Sequence, residues 1–300
     1  MRQAIIAVII LVAMSLNAMA DFAGDFQAAK KLFAQKQYAD AQQAFAKLAA
    51  SAPNDHGKAA SLSYAAMALG RQNQYEKAIE LSKSIEAGPM AAYTQMTLMT
   101  ENRKFKELAA AFKEEDVAAW PDDINYKGFS MRGRARNIAR DRKGALSDFE
   151  QCVALAGSDL WTKLEAMENV ASVHHALGDD AKAMDIYRDT LAVYEEEPGR
   201  KGLWLYPKTL LGAVGILIGQ KKYDDAQALL AEFGDTSEER KRNVYGFLVL
   251  EAYGDIHAGQ GKKAEALEKY RDALGIQTQP GYINRVEKKV AELEGGGEPQ

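Results

Sequence analysis

Between Tyr126 and Arg142 the chain concentrates hydrogen-bond donors: Lys127, Arg132, Arg134, Arg136, Asn137, Arg140 and Arg142. Guanidinium forks grip carboxylates in bidentate fashion, so such a wall could seat an acidic side chain or the C-terminal carboxylate of a peptide. On a helix, alternate residues leave on different sides. The run can therefore divide, with some arginines in solvent and others paired with Asp141, Asp148 or Glu150. A second cluster, His174-His175 followed by Asp179-Asp180, has metal-binding residue types. Adjacent histidines on a helix diverge by about 100°, and His175 with Asp179 at i, i+4 would supply only two ligands. We expect His174 to pack between helices, His175 to face a groove, and no metal to bind. The single cysteine, Cys152, allows no intrachain disulfide and reads as a small buried residue near Phe149. There is no G-x-S-x-G, H-E-x-x-H or P-loop motif. No catalytic constellation and no cofactor is expected.

These residues need a scaffold, and one short phrase that recurs along the chain supplies it. Tyr38-Ala39-Asp40-Ala41 is echoed at Tyr75–Ala78, Phe105–Leu108, Arg142–Ala145, Asp180–Ala183, Tyr223–Ala226 and Lys263–Ala266. The closing residues, 41, 78, 108, 145, 183, 226 and 266, lie 30 to 43 apart. Such periods denote helical repeats that cannot bury their apolar faces singly. Twelve residues before each anchor stand Ala29, Ala66, Met96, Gly133, Ala171, Val214 and Gly254. Four residues after each stand Phe45, Ser82, Phe112, Phe149, Tyr187, Leu230 and Tyr270. Small residues at two facing points allow antiparallel helices to approach, while the larger side chain fills the next turn.

In this register the chain resembles the tetratricopeptide repeat family over residues 22–275. The resemblance implies an all-α, right-handed α-solenoid of antiparallel helix pairs, with partners bound in a groove lined by the first helix of each pair. The family's chaperone-binding "carboxylate clamp" is not reproduced: the corresponding helices offer Lys30, then Ser63 and Met67, then Tyr93 and Thr97.

Turn and cap residues place helix pairs at 22–36 with 38–50, 57–72 with 74–87, 89–101 with 104–115 and 123–140 with 142–156. Three more fall at 159–177 with 180–195, 203–219 with 222–233, and 237–259 with 262–275. Ser158 or Asp159, and Thr236 or Ser237, suit N-cap positions. Residues 280–294 read as an amphipathic capping helix with Tyr282, Val286, Val290 and Leu293 on one face, and 295–300 as a disordered tail. No stretch alternates as a strand would.

Residues 1–20 differ in kind. Arg2, the apolar run Ala4–Leu16 and the A-x-A site Ala18-Met19-Ala20 read as a secretory signal cleaved after Ala20, the alternative being an uncleaved anchor. The mature chain, 21–300, made of the array 21–279, the cap and the tail, would carry 37 basic and 42 acidic residues, a balance that argues against nucleic acid. The reading is a non-enzymatic scaffold, periplasmic or otherwise exported, that binds a protein or peptide segment of acidic character. The residues assigned to partner binding are Phe26, Phe33, Lys127, Arg134, Asn137 and His175, with Phe22, Tyr64 and Tyr93 as further aromatics of the N-terminal groove. The alternatives are a self-associating architectural component and, more remotely, a helical-solenoid hydrolase, which would need paired carboxylates across a closed cavity.

Overall fold

The seven anchors Ala41, Ala78, Leu108, Ala145, Ala183, Ala226 and Ala266 are all fully buried, and this register organises the molecule. The computed structural model describes residues 21–86, 88–196, 205–232, 243–276 and 278–295, and among them every regular element is helical. The elements are α1 (21–34), α2 (Tyr38–Ala50), α3 (Asp55–Arg71), α4 (Tyr75–Lys83), α5 (Pro89–Glu101) and α6 (Phe105–Ala111). A 3-10 turn, Val117–Ala119, precedes α7 (Asp122–Ile138) and α8 (Arg142–Leu155). Then come α9 (Leu160–Ala176), α10 (Asp180–Glu196), α11 (Leu205–Gly219), α12 (Tyr223–Ala231), α13 (Val244–Gly259), α14 (Lys263–Leu274) and α15 (Pro280–Gly295).

The chain divides into two compact units, Met1–Cys152 and Val153–Gln300. In the first, α2 packs on α3, α3 on α4 and α5, and α5 on α7. In the second, α9 packs on α10, α10 on α11, α11 on α12 and α13, and α13 on α14, with α15 against α14. Each unit is thus a succession of adjacent helix pairs, the α-solenoid arrangement. The small-for-large complementarity read from the sequence is literal here. A methyl group on Gly133 would come within 2.9 Å of the Phe149 ring, and one on Gly254 within 2.3 Å of Tyr270. The third repeat, which carries Met96 and Leu108 at the two positions where most of the others carry small residues, buries both completely.

The turn inside each pair follows one rule. Five residues before every anchor the backbone enters the left-handed region: Lys36, Asn73, Arg103, Arg140, Gly178, Lys221 and Gly261 all have φ between 56° and 84°. The next residue's N–H donates back to a carbonyl five positions earlier, as in Gln37 N to Leu32 O (3.0 Å) and Lys262 N to His257 O (2.8 Å). This is the Schellman closure of a helix, usually served by glycine. Lys36, Arg103 and Lys221 carry a Cβ into that conformation, which costs about 1 kcal/mol per residue. Replacing each with glycine should therefore raise stability by up to about 1 kcal/mol, measured as a shift in urea midpoint.

Some boundaries depart from the sequence expectation. Helix α6 ends at Ala111 rather than near 115. Beyond it, Trp120 is buried beside Gly128 and its indole N–H donates to Glu115 Oε1 (3.1 Å). Arginines of α7 take up the carbonyls of Lys113 and Glu115, so these backbone groups serve α7 in place of another helical turn. Asp159 is the N-cap of α9, its carboxylate accepting from the N–H groups of Trp161 and Thr162. Asn243 caps α13 by accepting from Tyr245 N (2.9 Å), whereas the expected Thr236 and Ser237 lie outside the described residues. So do the leader, 1–20, and tail residues 296–300. The capping helix keeps its expected face: Val286 is buried, and Tyr282, Val290 and Leu293 pack against the cluster of Phe247, Ala266 and Tyr270.

Candidate functional site

In the first unit, the leading helices of four successive pairs, α1, α3, α5 and α7, converge on a cavity of about 210 Å³. Each element contributes residues about one helical turn apart: Phe26 and Lys30; His56, Ala60, Ser63, Tyr64 and Met67; Met90 and Tyr93; Asp123, Ile124 and Lys127.

One wall is aromatic. Phe45 lies fully buried behind it, its ring centroid 4.9 Å from Tyr64 and 5.3 Å from Phe26. Phe26 meets Tyr64 edge-on at 5.5 Å, the geometry that aligns ring edge with ring face. Lys30 Nζ stands 5.9 Å from the Tyr64 ring centroid, close enough for a cation–π attraction. The floor between α3 and α5 is tied by a buried hydrogen bond from Thr94 Oγ1 to Ser63 Oγ (2.8 Å). Burial, supplemented by the Asp123 carboxylate, raises the Tyr93 hydroxyl above its ordinary pKa even though the Thr97 hydrogen bond works the other way. Tyr93 therefore enters the cavity as a neutral phenol able to donate. At the far side Lys127 is exposed. The cavity combines aromatic faces with the ammonium groups of Lys30 and Lys127, a pairing suited to an apolar side chain next to a carboxylate.

The residues expected to bind a partner are distributed unevenly. Phe26 and Lys127 line this cavity together with Tyr64 and Tyr93. Phe33 does not: its ring packs edge-on against Tyr38 and Tyr64, 5.3 and 5.9 Å between centroids, and so buttresses the wall from one side. Arg134 is exposed seven residues beyond Lys127, hence on the same side of α7, and Asn137 is half-buried near its end. His175 belongs to the other unit. There His174 is buried and stands 3.5 Å from Asp179, while His175 is exposed and meets Asp180 (2.7 Å).

The arginine run divides. Arg132 is buried and grips Asp148 through Nε (3.1 and 3.2 Å) and Nη2 (2.7 Å), and its Nη1 donates to the Glu115 carbonyl. Arg136 Nη1 reaches the same carboxylate (2.9 Å) and its Nη2 donates to Lys113 O (2.7 Å). These two arginines knit α7 to α8 and to the preceding loop, so they are not available to a partner. Cys152 is buried, with Sγ 3.7 Å from Tyr126 O. Five contributors to the cavity, His56, Ala60, Met90, Asp123 and Ile124, are not marked by the sequence reading. Only their place on leading helices could have pointed to them.

Residues 164–199, spanning most of the fifth repeat, match the family model of the tetratricopeptide repeat. No curated protein matches the chain. Among solved structures, the chain is similar to a tetratricopeptide repeat protein from Parabacteroides merdae, at 12% identity and a TM-score of 0.59, covering 90% of this chain and 98% of that one. It also aligns with pilF of Pseudomonas aeruginosa at 10% identity, over 91% of this chain and 99% of that one, with a TM-score of 0.47. The likeness to the Parabacteroides protein is one of fold.

Proposed function

We propose that this protein is a non-enzymatic, exported interaction scaffold whose first unit holds an extended segment of a protein partner. The reading rests on one observation: four leading helices bring an aromatic wall and two ammonium groups into a single open cavity. An apolar side chain of the partner would lie against Phe26, Tyr64 and Tyr93. A neighbouring carboxylate would meet Lys30 and Lys127, with Arg134 further along the same side of α7. Arg132 and Arg136, the other arginines of the run on α7, are taken up in the architecture. That narrows the charged contacts to the lysines and Arg134. Export is supported by the leader-like sequence of residues 1–20 and would place the partner in the cell envelope.

The test is affinity capture from envelope extract with residues 21–300, comparing wild type with Lys127→Glu, Phe26→Ala and, as a control, Glu150→Lys on the exposed side of α8. We expect a partner retained by wild type and the control but depleted at least tenfold by Lys127→Glu and by Phe26→Ala. A partner set unchanged in both groove variants would refute the assignment.

A further inference from the structure

In the first unit α5 and α7 reach the cavity with their N-terminal ends, so the turns that follow these helices lie at the other edge of the unit. Contacts between elements set the turns side by side there. Gln72 Nε2 donates to Tyr38 O (3.3 Å), Arg71 pairs with Glu101 (2.6 Å), and Lys104 Nζ stands 4.3 Å from the Tyr75 ring centroid. Thr97 Oγ1 donates to Met131 Sδ (3.8 Å), which lays α7 along α5 and brings the α7–α8 turn to the end of the row. This edge gathers exposed Lys36, Arg103, Lys104, Arg140 and Lys143. The opposite edge exposes Asp55, Glu86, Glu114, Asp122 and Asp123, with Lys58 and Lys113 among them. One edge is therefore basic and the other acidic.

At the α7–α8 turn the charge runs against local preference. The trailing helices α2, α4, α6, α10, α12 and α14 each carry an acid in the first turn, where it meets the positive end of the helix dipole. Helix α8 carries none and begins instead with Arg142-Lys143. Just before them Arg140 holds the left-handed conformation (φ 69°), which a side chain enters only at a cost. The acid of the turn, Asp141, accepts from Gly144 N (3.0 Å) and lies 3.8 Å from Arg136, so it is engaged within the hairpin.

Arg140, Arg142 and Lys143 have no side-chain partner among the described residues. Beside them Ile138, the last residue of α7, is 46% exposed, more than any other large apolar side chain among the described residues. Backbone strain and opposed charge, kept together around an exposed aliphatic group, point to a use outside the fold. A bilayer surface employs all of these features. Its phosphates take guanidinium and ammonium donors, and the boundary beneath the headgroups takes the aliphatic side chain. Nucleic acid offers the phosphates but nothing for Ile138.

We infer that this edge of the first unit, centred on the α7–α8 turn, docks on a bilayer of anionic phospholipid. Ile138 enters the headgroup boundary, Arg140, Arg142 and Lys143 meet phosphates around it, and Lys36, Arg103 and Lys104 extend the charge along the row. The acidic edge then faces away from the lipid. None of these residues lines the cavity, so groove binding and lipid docking can fail separately.

The probes are vesicles of phosphatidylcholine alone and vesicles with about one-third phosphatidylglycerol, sedimented with the chain 21–300 at about 0.1 M salt. The chain should bind the anionic vesicles and not the neutral ones. Each basic residue at such a surface is worth a factor of about five. The triple change Arg140→Gly, Arg142→Gln, Lys143→Gln should therefore weaken binding by at least about tenfold. Lys58→Gln, Lys113→Gln, Lys221→Gln removes the same charge elsewhere and should change it by no more than about twofold. Arg140→Gly alone should weaken binding while melting no lower than wild type, a combination that a structural role for Arg140 would not give. Ile138→Ser should also weaken binding, and Phe26→Ala, in the cavity wall, should not. No binding to the anionic vesicles, equal binding to both kinds, or equal loss in the two triple variants would overturn the proposal. Tighter binding to duplex DNA than to the anionic vesicles would do so as well, by marking a surface for any polyanion.

Discussion

Replacing Asp148 with alanine is expected to cost the first unit about 3–5 kcal/mol, much of the 5–15 kcal/mol that a domain has in total. The side chain is only 2% exposed and receives the hydrogen bonds of two guanidinium groups, those of Arg132 and Arg136. Arg132 is itself buried, so removing the carboxylate strands its charge in a site where water cannot replace the partner. That penalty, not the intrinsic worth of the ion pair, sets the size of the effect. Urea denaturation followed by circular dichroism measures it. The neighbouring Glu150→Ala, on the exposed side of α8, should move the midpoint by no more than about 0.5 kcal/mol equivalent. The triple change Arg132→Met, Arg136→Met, Asp148→Leu should recover part of the loss, because no buried charge then lacks a counterpart. A loss below about 1 kcal/mol for Asp148→Ala would mean that water reaches the pair.

Phe45→Ala should be of similar size, about 3–5 kcal/mol, through a different physical cause. Phe45 is fully buried on α2 and holds two residues of the candidate groove in place, Phe26 and Tyr64. Its removal leaves a cavity directly behind the aromatic wall, and the neighbouring rings can relax into it. Stability and partner retention should therefore fall together, whereas Lys127→Glu should lower retention alone. Phe45→Leu restores most of the volume and should cost about 1–2 kcal/mol. If Phe45→Ala destabilised the unit yet held its partner as tightly as wild type does, the wall would not be part of the binding surface.

The two substitutions also mark how far a sequence can be read. The place of Phe45 was legible, since it stands four residues after a repeat anchor, where the helical period puts a filler side chain. The same arithmetic located Ala29, Gly133, Tyr270 and all seven anchors, each now found buried. The destination of Arg132 and Arg136 was open. Spacing alone allows them to reach a groove or Asp148, and the choice depends on how α7, α8 and the loop through Glu115 meet. The left-handed turns divide in the same way. Gly178 and Gly261 announce theirs, but Lys36, Arg103, Arg140 and Lys221 give no hint by residue type. Their conformation follows from closing each helix so that the next can pack back on it.

The sequence by itself determined the all-helical class, the phase of the seven buried anchors and the apolar face of 280–294. These are local, periodic properties, set by the 3.6-residue helical turn and by complementarity within a single pair. Tertiary structure alone decided which charges are consumed internally and which reach solvent. It also gathered Phe26, Tyr64, Tyr93 and Lys127 from four helices around one cavity. Those outcomes depend on distances of a few ångströms between different repeats, and such distances come from the stacking of pair upon pair.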